Sequence, residues 1–141
     1  MKPRELELPA LLERLINEHD EIKKSFRELS TLLFENKFLT VANKLEELKL
    51  IIDQHIIDEE AKILKFLLNT VSKEESSQAI AIFQQHREIH QLLKELQENV
   101  QLLRKESAII RDELENIMKI HFEAEEHQIF PPVFKLYKKV L

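Results

Sequence analysis

Hydrophobic residues recur along this chain at alternating three- and four-residue steps, the period of one helix face. The first stretch is unbroken: Leu12, Leu15, His19, Ile22, Phe26, Leu29 and Leu33. A second runs through Val41, Leu45, Leu48, Ile52, His55, Glu59, Ile63 and Phe66, and a third through Ala79, Phe83, His86, His90, Leu93, Gln97, Val100 and Leu103. The fourth presents Ile110, Leu114, Ile117, His121, Glu125 and Gln128. Pro9 suits the first turn of the first helix, where a missing N–H removes no bond. Ser72 with Glu75 makes a capping box that opens the third. Pro131-Pro132 should stop or kink the fourth, leaving a short fifth helix over about 131–141. Turns are expected at Asn36-Lys37, at Ser72 and at Lys105-Glu106-Ser107. The pattern predicts one all-α domain over 1–141: an up-down-up-down four-helix bundle with its core over about 9–130. No internal repeat, linker or low-complexity segment stands out.

Composition sharpens this reading. The chain has no glycine, and its four prolines sit near its ends, at positions 3, 9, 131 and 132. An average chain of this length holds about ten glycines. Without them a dinucleotide-binding loop, a phosphate-cradling loop and most tight hairpins are excluded. A net charge of −5 supplies no basic field for nucleic acid or anionic lipid. The absence of cysteine excludes thiolate metal sites and cysteine nucleophiles. With no apolar leader at the start and no apolar run long enough to span a bilayer, the expectation is a soluble, cytoplasmic protein that uses neither membrane nor nucleic acid.

The chemistry lies where the stripes cease to be apolar. His55 with Glu59, His86 with His90, and His121 with Glu125 are each four residues apart, and so share a helix face; His19 stands alone on the first. In the expected bundle the three turns fall midway between successive pairs, so all seven groups can meet in one layer. A lone histidine on an apolar face is usually a hydrogen-bonded core residue. Five histidines and two glutamates at one level are harder to explain that way, because a buried carboxylate without a cation costs several kcal/mol. Imidazole and carboxylate without sulfur suit iron, with manganese or zinc less favoured. Two octahedral ions filled by five imidazoles, two bridging carboxylates and an oxo or hydroxo bridge keep a single open position, suited to O₂, NO or peroxide. His127, six residues after His121, falls off the seam and is expected at the surface.

These residues resemble the hemerythrin-like HHE cation-binding family: His19 in NEHDEI, His55 and Glu59 in HIIDE, His86 and His90 in HREIH, His121 and Glu125 in HFEAEEHQIFPPV. The resemblance spans about residues 10–135. It implies a left-handed bundle holding a non-haem di-iron centre. His86, His90 and His121 would hold one iron; His19 and His55 would hold the other, the one that binds O₂; Glu59 and Glu125 would bridge. Oxygen-carrying members place an aspartate five residues after the fourth-helix histidine. Here Glu125 stands at four and Glu126 at five, and Glu125 follows the seam better. The ferritin-like pattern, rich in carboxylates with Glu-x-x-His pairs, fits less well.

The seam residues one turn from the ligands, Leu15, Ile22, Ile52, Ile63, Phe83, Leu93 and Ile117, are all apolar. None supplies an acid, tyrosine or lysine for proton transfer, so no catalytic residue is assigned. The leading expectation is a di-iron protein binding O₂ or NO for sensing, carriage or delivery. The alternatives are a di-iron enzyme acting on peroxide, NO or O₂, a protein that handles iron for cluster repair, and an interaction module stabilised by another metal.

Overall fold

The four periodic stretches fold as four long helical rods. The computed structural model describes residues 7–140, the side chain of Glu75 excepted. Helix α1 spans Leu8–Phe34 and α2 spans Phe38–Asp58. A π-helical segment, Glu59–Leu64, joins α2 without a break to α3 (Lys65–Thr70). Helix α4 (Lys73–Gln101) is followed by α5 (Ser107–Ala124), which continues through a second π segment, Glu125–Ile129, into α6 (Phe130–Val140). No strand occurs among the described residues, and none of their helices is long and apolar enough to cross a membrane. Helix α1 packs against α2 and α5, and α4 packs against the same two.

The turns show how a chain without glycine reverses direction. At the end of α1 the Asn36 amide bonds to the Leu33 carbonyl and the Lys37 amide to the Leu32 carbonyl, at 3.0 and 2.9 Å. That pair of bonds is the Schellman closure, which needs a left-handed residue. Asn36 fills it at φ 58°. The end of α4 repeats the closure, Leu103 to Val100 and Arg104 to Asn99, both at 3.0 Å. Here the left-handed residue is Leu103, at φ 55°. The third reversal therefore begins ahead of the expected Lys105–Ser107. The Ser76 amide bonds to the Ser72 carbonyl at 3.0 Å as α4 opens; the Glu75 half of the expected capping box lies outside the described residues.

Pro131 and Pro132 do not stop the fourth rod. They lie at the start of α6, directly after a π segment. The π register has a phase role as well. Nineteen residues separate Leu48 from Leu67, and nineteen separate Leu114 from Val133. At about 100° per residue each interval overshoots five whole turns by about 100°. A π segment absorbs about one extra residue, which cancels the overshoot. Leu48, Leu67, Leu114 and Val133 are all buried accordingly.

Two apolar clusters form the core. One includes Ile22, Phe26, Leu45, Ile52, Ile89, Leu93 and Met118; the other includes Leu11, Leu15, Ile63, Phe83, Ile129 and Val133. His19 lies in sequence between Leu15 of one cluster and Ile22 of the other, and His86 between Phe83 and Ile89. The histidines and glutamates thus form a polar layer that divides the hydrophobic interior.

Candidate metal centre

Six of the seven expected ligands meet in that layer. His19, His55, Glu59 and Glu125 bring ligand atoms within 4.8 Å of one another, and so do Glu59, His86, His121 and Glu125. All six residues are at most 3% exposed. The two glutamates belong to both groups and divide their oxygens between them. Glu59 turns Oε1 to His55, in close contact, and to His19 at 3.9 Å, while its Oε2 lies 3.5 Å from His86 Nε2. Glu125 turns Oε1 to His19 at 3.2 Å and Oε2 to His121 at 3.3 Å.

The outer face of each ring fixes its orientation. Nδ1 of His55 meets Glu18 at 2.8 Å, Nδ1 of His86 meets Glu60 at 3.0 Å, Nδ1 of His19 meets Glu126 at 3.2 Å, and Nδ1 of His121 meets the Gln85 side-chain oxygen at 2.7 Å. Each outer partner is an acceptor, so each Nδ1 carries the hydrogen and donates it. Each Nε2 lone pair then points inward. With the rings neutral and both carboxylates ionised, the interior holds four such lone pairs and two carboxylates, with no hydrogen to share among them. His19 and His55 even bring Nε2 to within 3.1 Å of Nε2. All four carboxylate oxygens and the Nε2 atoms of His86 and His121 lack a hydrogen-bond partner. Buried acceptors without donors are costly, and a cation is what such a set accepts. Ring N–H to carboxylate or amide is also how metal-ligating histidines are ordinarily held.

Without a cation, protons carry the balance. Burial acts against charge on His55, but Glu59 and Glu18 outweigh it and raise its pKa to about 9. Burial works against a charged His86 too, and Glu59 and Glu60 raise it. Burial lowers His121 to about 3. Glu125 is raised, first by burial and then by the charge of Glu59. Glu59 itself stays ionised despite its burial, held down chiefly by His55. One carboxylate is thus pressed toward neutrality beside another that stays charged, which is how two buried carboxylates share a site short of positive charge.

His90, expected as the seventh ligand, lies outside both groups. Its side chain is 44% exposed, and its Nδ1 contacts Asp53 at 3.2 Å. The reason is a helical step. The buried seam of α4 passes from His86 to Ile89 and Leu93, a step of three and then four. A four-residue step from His86 reaches His90, which lies beside the seam. Gln97 and Gln128 fall beside the core in the same way, and Ile117 packs only at its edge; Leu96, Ile129 and Met118 are the buried residues instead, while Leu103 lies past the end of α4. His127 is exposed, as expected. Glu125 joins the inner layer and Glu126 backs His19.

The outer ring, Glu18, Glu60, Gln85 and Glu126, was not foreseen, yet it has a sequence signal. Each member adjoins an inner residue in sequence and serves a ring on a neighbouring rod, closing a circuit through α1, α2, α4 and α5. The signal is doubled: Glu-His at 18–19 and Gln-His at 85–86, then His-x-x-x-Glu-Glu at 55–60 and at 121–126. The offset is 67 residues between α1 and α4 (His19 to His86) and 66 between α2 and α5 (His55 to His121). The same offsets superpose the core. Leu15, Ile22, Leu29 and Leu33 match Ile82, Ile89, Leu96 and Val100; Ile52 and Ile63 match Met118 and Ile129. The chain is an internal repeat of one helix pair, blurred by surface residues. His90 corresponds to Lys23 of α1, a position outside the layer in both copies.

Comparison with protein-family models, with curated proteins and with solved structures finds no match to this chain.

Proposed function

We propose that this chain is a hemerythrin-like, non-haem di-iron protein whose centre binds a small diatomic ligand, O₂ or NO, for sensing, carriage or delivery. The observation that carries the reading is the division of Glu59 and Glu125: Glu59 turns one oxygen to His19 and His55 and the other to His86, and Glu125 turns one to His19 and the other to His86 and His121. Two carboxylates so placed would each bridge a pair of cations. His19 and His55 would hold one iron, and His86 and His121 the other. Nitrogen and oxygen donors without sulfur suit iron. When bound, such a pair supplies reversible electron transfer and open coordination positions.

The protein's own part is to hold the rings, exclude water and keep the surroundings apolar. Leu15, Ile22, Ile52, Ile63 and Phe83, one turn from the ligands, are at most 4% exposed, which favours a neutral gas over a charged substrate. The reading carries an up-down-up-down bundle, supported by the short turns and the neighbour order α1, α2, α4, α5; its left-handed sense comes with the resemblance.

A second reading, an enzyme acting on O₂, NO or peroxide, gains from the position of His90. Six ligands divided evenly, together with an oxo or hydroxo bridge, would leave a free position on each six-coordinate ion, rather than one on the pair. The two readings separate by spectroscopy. We expect two irons per chain and an absorption spectrum that returns to its reduced form after oxygenation and deoxygenation. Steady O₂ consumption with product formation would replace binding by turnover, and a chain that takes up no iron would defeat both.

A further inference from the structure

The internal repeat makes the two halves of the centre comparable position by position, and at two positions they differ. The first lies behind the rings. His19 and His55 are both backed by carboxylates, Glu126 and Glu18, whose side chains are 22% and 15% exposed. In the other half His86 is backed by Glu60, which is 47% exposed, and His121 by the neutral amide of Gln85. Gln85 is the counterpart of Glu18. A carboxylate behind an imidazole raises its strength as a ligand, so the His86–His121 half attracts a cation less.

The second difference is access. A cleft of about 500 Å³ between α2 and α4 is lined by Ile56, Leu64, Ile80 and by His86 itself, with Asp53 and His90 at its rim. By the same offsets the matching space is split in two. A cavity of about 220 Å³ between α1 and α5 holds Lys23, Lys119 and Phe122, the counterparts of His90, Asp53 and Ile56. A groove of about 340 Å³ between α1 and α6 holds Glu13, Ile16, Glu126 and Phe130, the counterparts of Ile80, Phe83, Glu60 and Leu64. His19 lines neither. The counterpart of Ile56 there is Phe122, which stacks on His19 with ring centres 3.8 Å apart. One half is open to a visitor; the other is closed by a phenyl ring.

Resting on the two-cation reading, we infer that the half-sites are unequal: the His86–His121 half holds the exchangeable cation and meets external ligands through the α2–α4 cleft, whereas the His19–His55 half keeps its cation. This assigns the ligand-accessible position to the half opposite the one implied by the resemblance. Gln85 and Ile56 are the positioning residues that create the inequality.

The test is cation release. Protein loaded anaerobically with ferrous iron is mixed with excess ferrous chelator, and release is followed by the colour of the chelate. Two phases of equal amplitude are expected. Gln85→Glu should slow the fast phase about tenfold, and Ile56→Phe should slow the same phase. Phe122→Ile should speed the slow phase alone. Circular dichroism of each loaded variant checks the fold, and the wild-type trace stands without any of them. A single phase, or a Gln85→Glu effect confined to the slow phase, overturns the inference while leaving the two-cation reading intact. A chain that loads no iron overturns the reading beneath it.

Discussion

At the residue scale, the layer rests on which ring nitrogen faces inward. His86 and His90 are of one type on one helix, four residues apart, and the Nδ1 of each meets a carboxylate, yet only His86 is buried with its Nε2 aimed at Glu59. His86→Ala should therefore cost most of the bound iron, and His90→Ala should leave iron per chain unchanged; elemental analysis after gel filtration decides. Iron lost equally from both variants would restore His90 as a ligand. That six of the seven expected residues would meet was legible because histidine and glutamate interrupt apolar stripes. That His90 would stand outside the layer was not legible, because three- and four-residue steps cannot be told apart when each lands on a plausible side chain. The outer ring was less legible still. Glu18, Glu60 and Glu126 are ordinary acidic residues in a chain with 26 of them, and only the doubled motif marks them.

At the scale of the element, the helices follow from periodicity, and the informative exceptions are a turn and two π segments. Leu103 occupies a left-handed conformation at φ 55° with its side chain 66% exposed. The conformation costs a non-glycine residue roughly 1–2 kcal/mol, and little burial is given up by truncation. Leu103→Gly should raise stability by about 1 kcal/mol once glycine's own chain entropy is deducted. Urea unfolding of the metal-free protein measures it, and an unchanged or lower midpoint would count against the strain. The π segments were not legible, since no residue type announces them. Their trace is arithmetic: the nineteen-residue spacings that a plain α-helix cannot keep in phase. Deleting exposed Ala61 within the first π segment should thus be tolerated, with the rod reverting to uninterrupted α-helix and Leu67 staying inside. Deleting exposed Asn43 in α2 turns everything beyond it by about 100° and should unfold the protein. Similar thermal melts for the two deletions would refute the phase argument.

At the scale of the whole molecule, the all-helical outline was readable because nothing between Pro9 and Pro131 breaks a helix. The repeat was less readable, because beyond the doubled motif it is written in buried positions that become visible only when burial is known. Its consequence is a core cut in two by a polar layer whose acceptors outnumber its donors. Acid should empty the site, since imidazole binds a cation only when deprotonated. As pH falls through the usual imidazole range near 6.5 protons compete, and long dialysis at about pH 4 should leave little iron. Iron fully retained there would speak against histidine ligands.

The layer also sets a trade between stability and binding. In the metal-free chain it separates two apolar clusters with charged groups that have no cation, and well-packed hydrophobic replacements of such buried ionic sets can add about 1–4 kcal/mol. Replacing His19, His55, His86 and His121 by leucine and Glu59 and Glu125 by methionine should fuse the clusters into one core. The fused chain should melt above the metal-free parent while binding no iron. Saturating iron should close or reverse the gap for the parent, because a ligand at about 1,000 times its Kd adds about 4 kcal/mol. A fused variant no more stable than the metal-free parent would mean that the proton-balanced layer is already as favourable as an apolar one. The orphaned lone pairs would then lose their force as an argument for a cation.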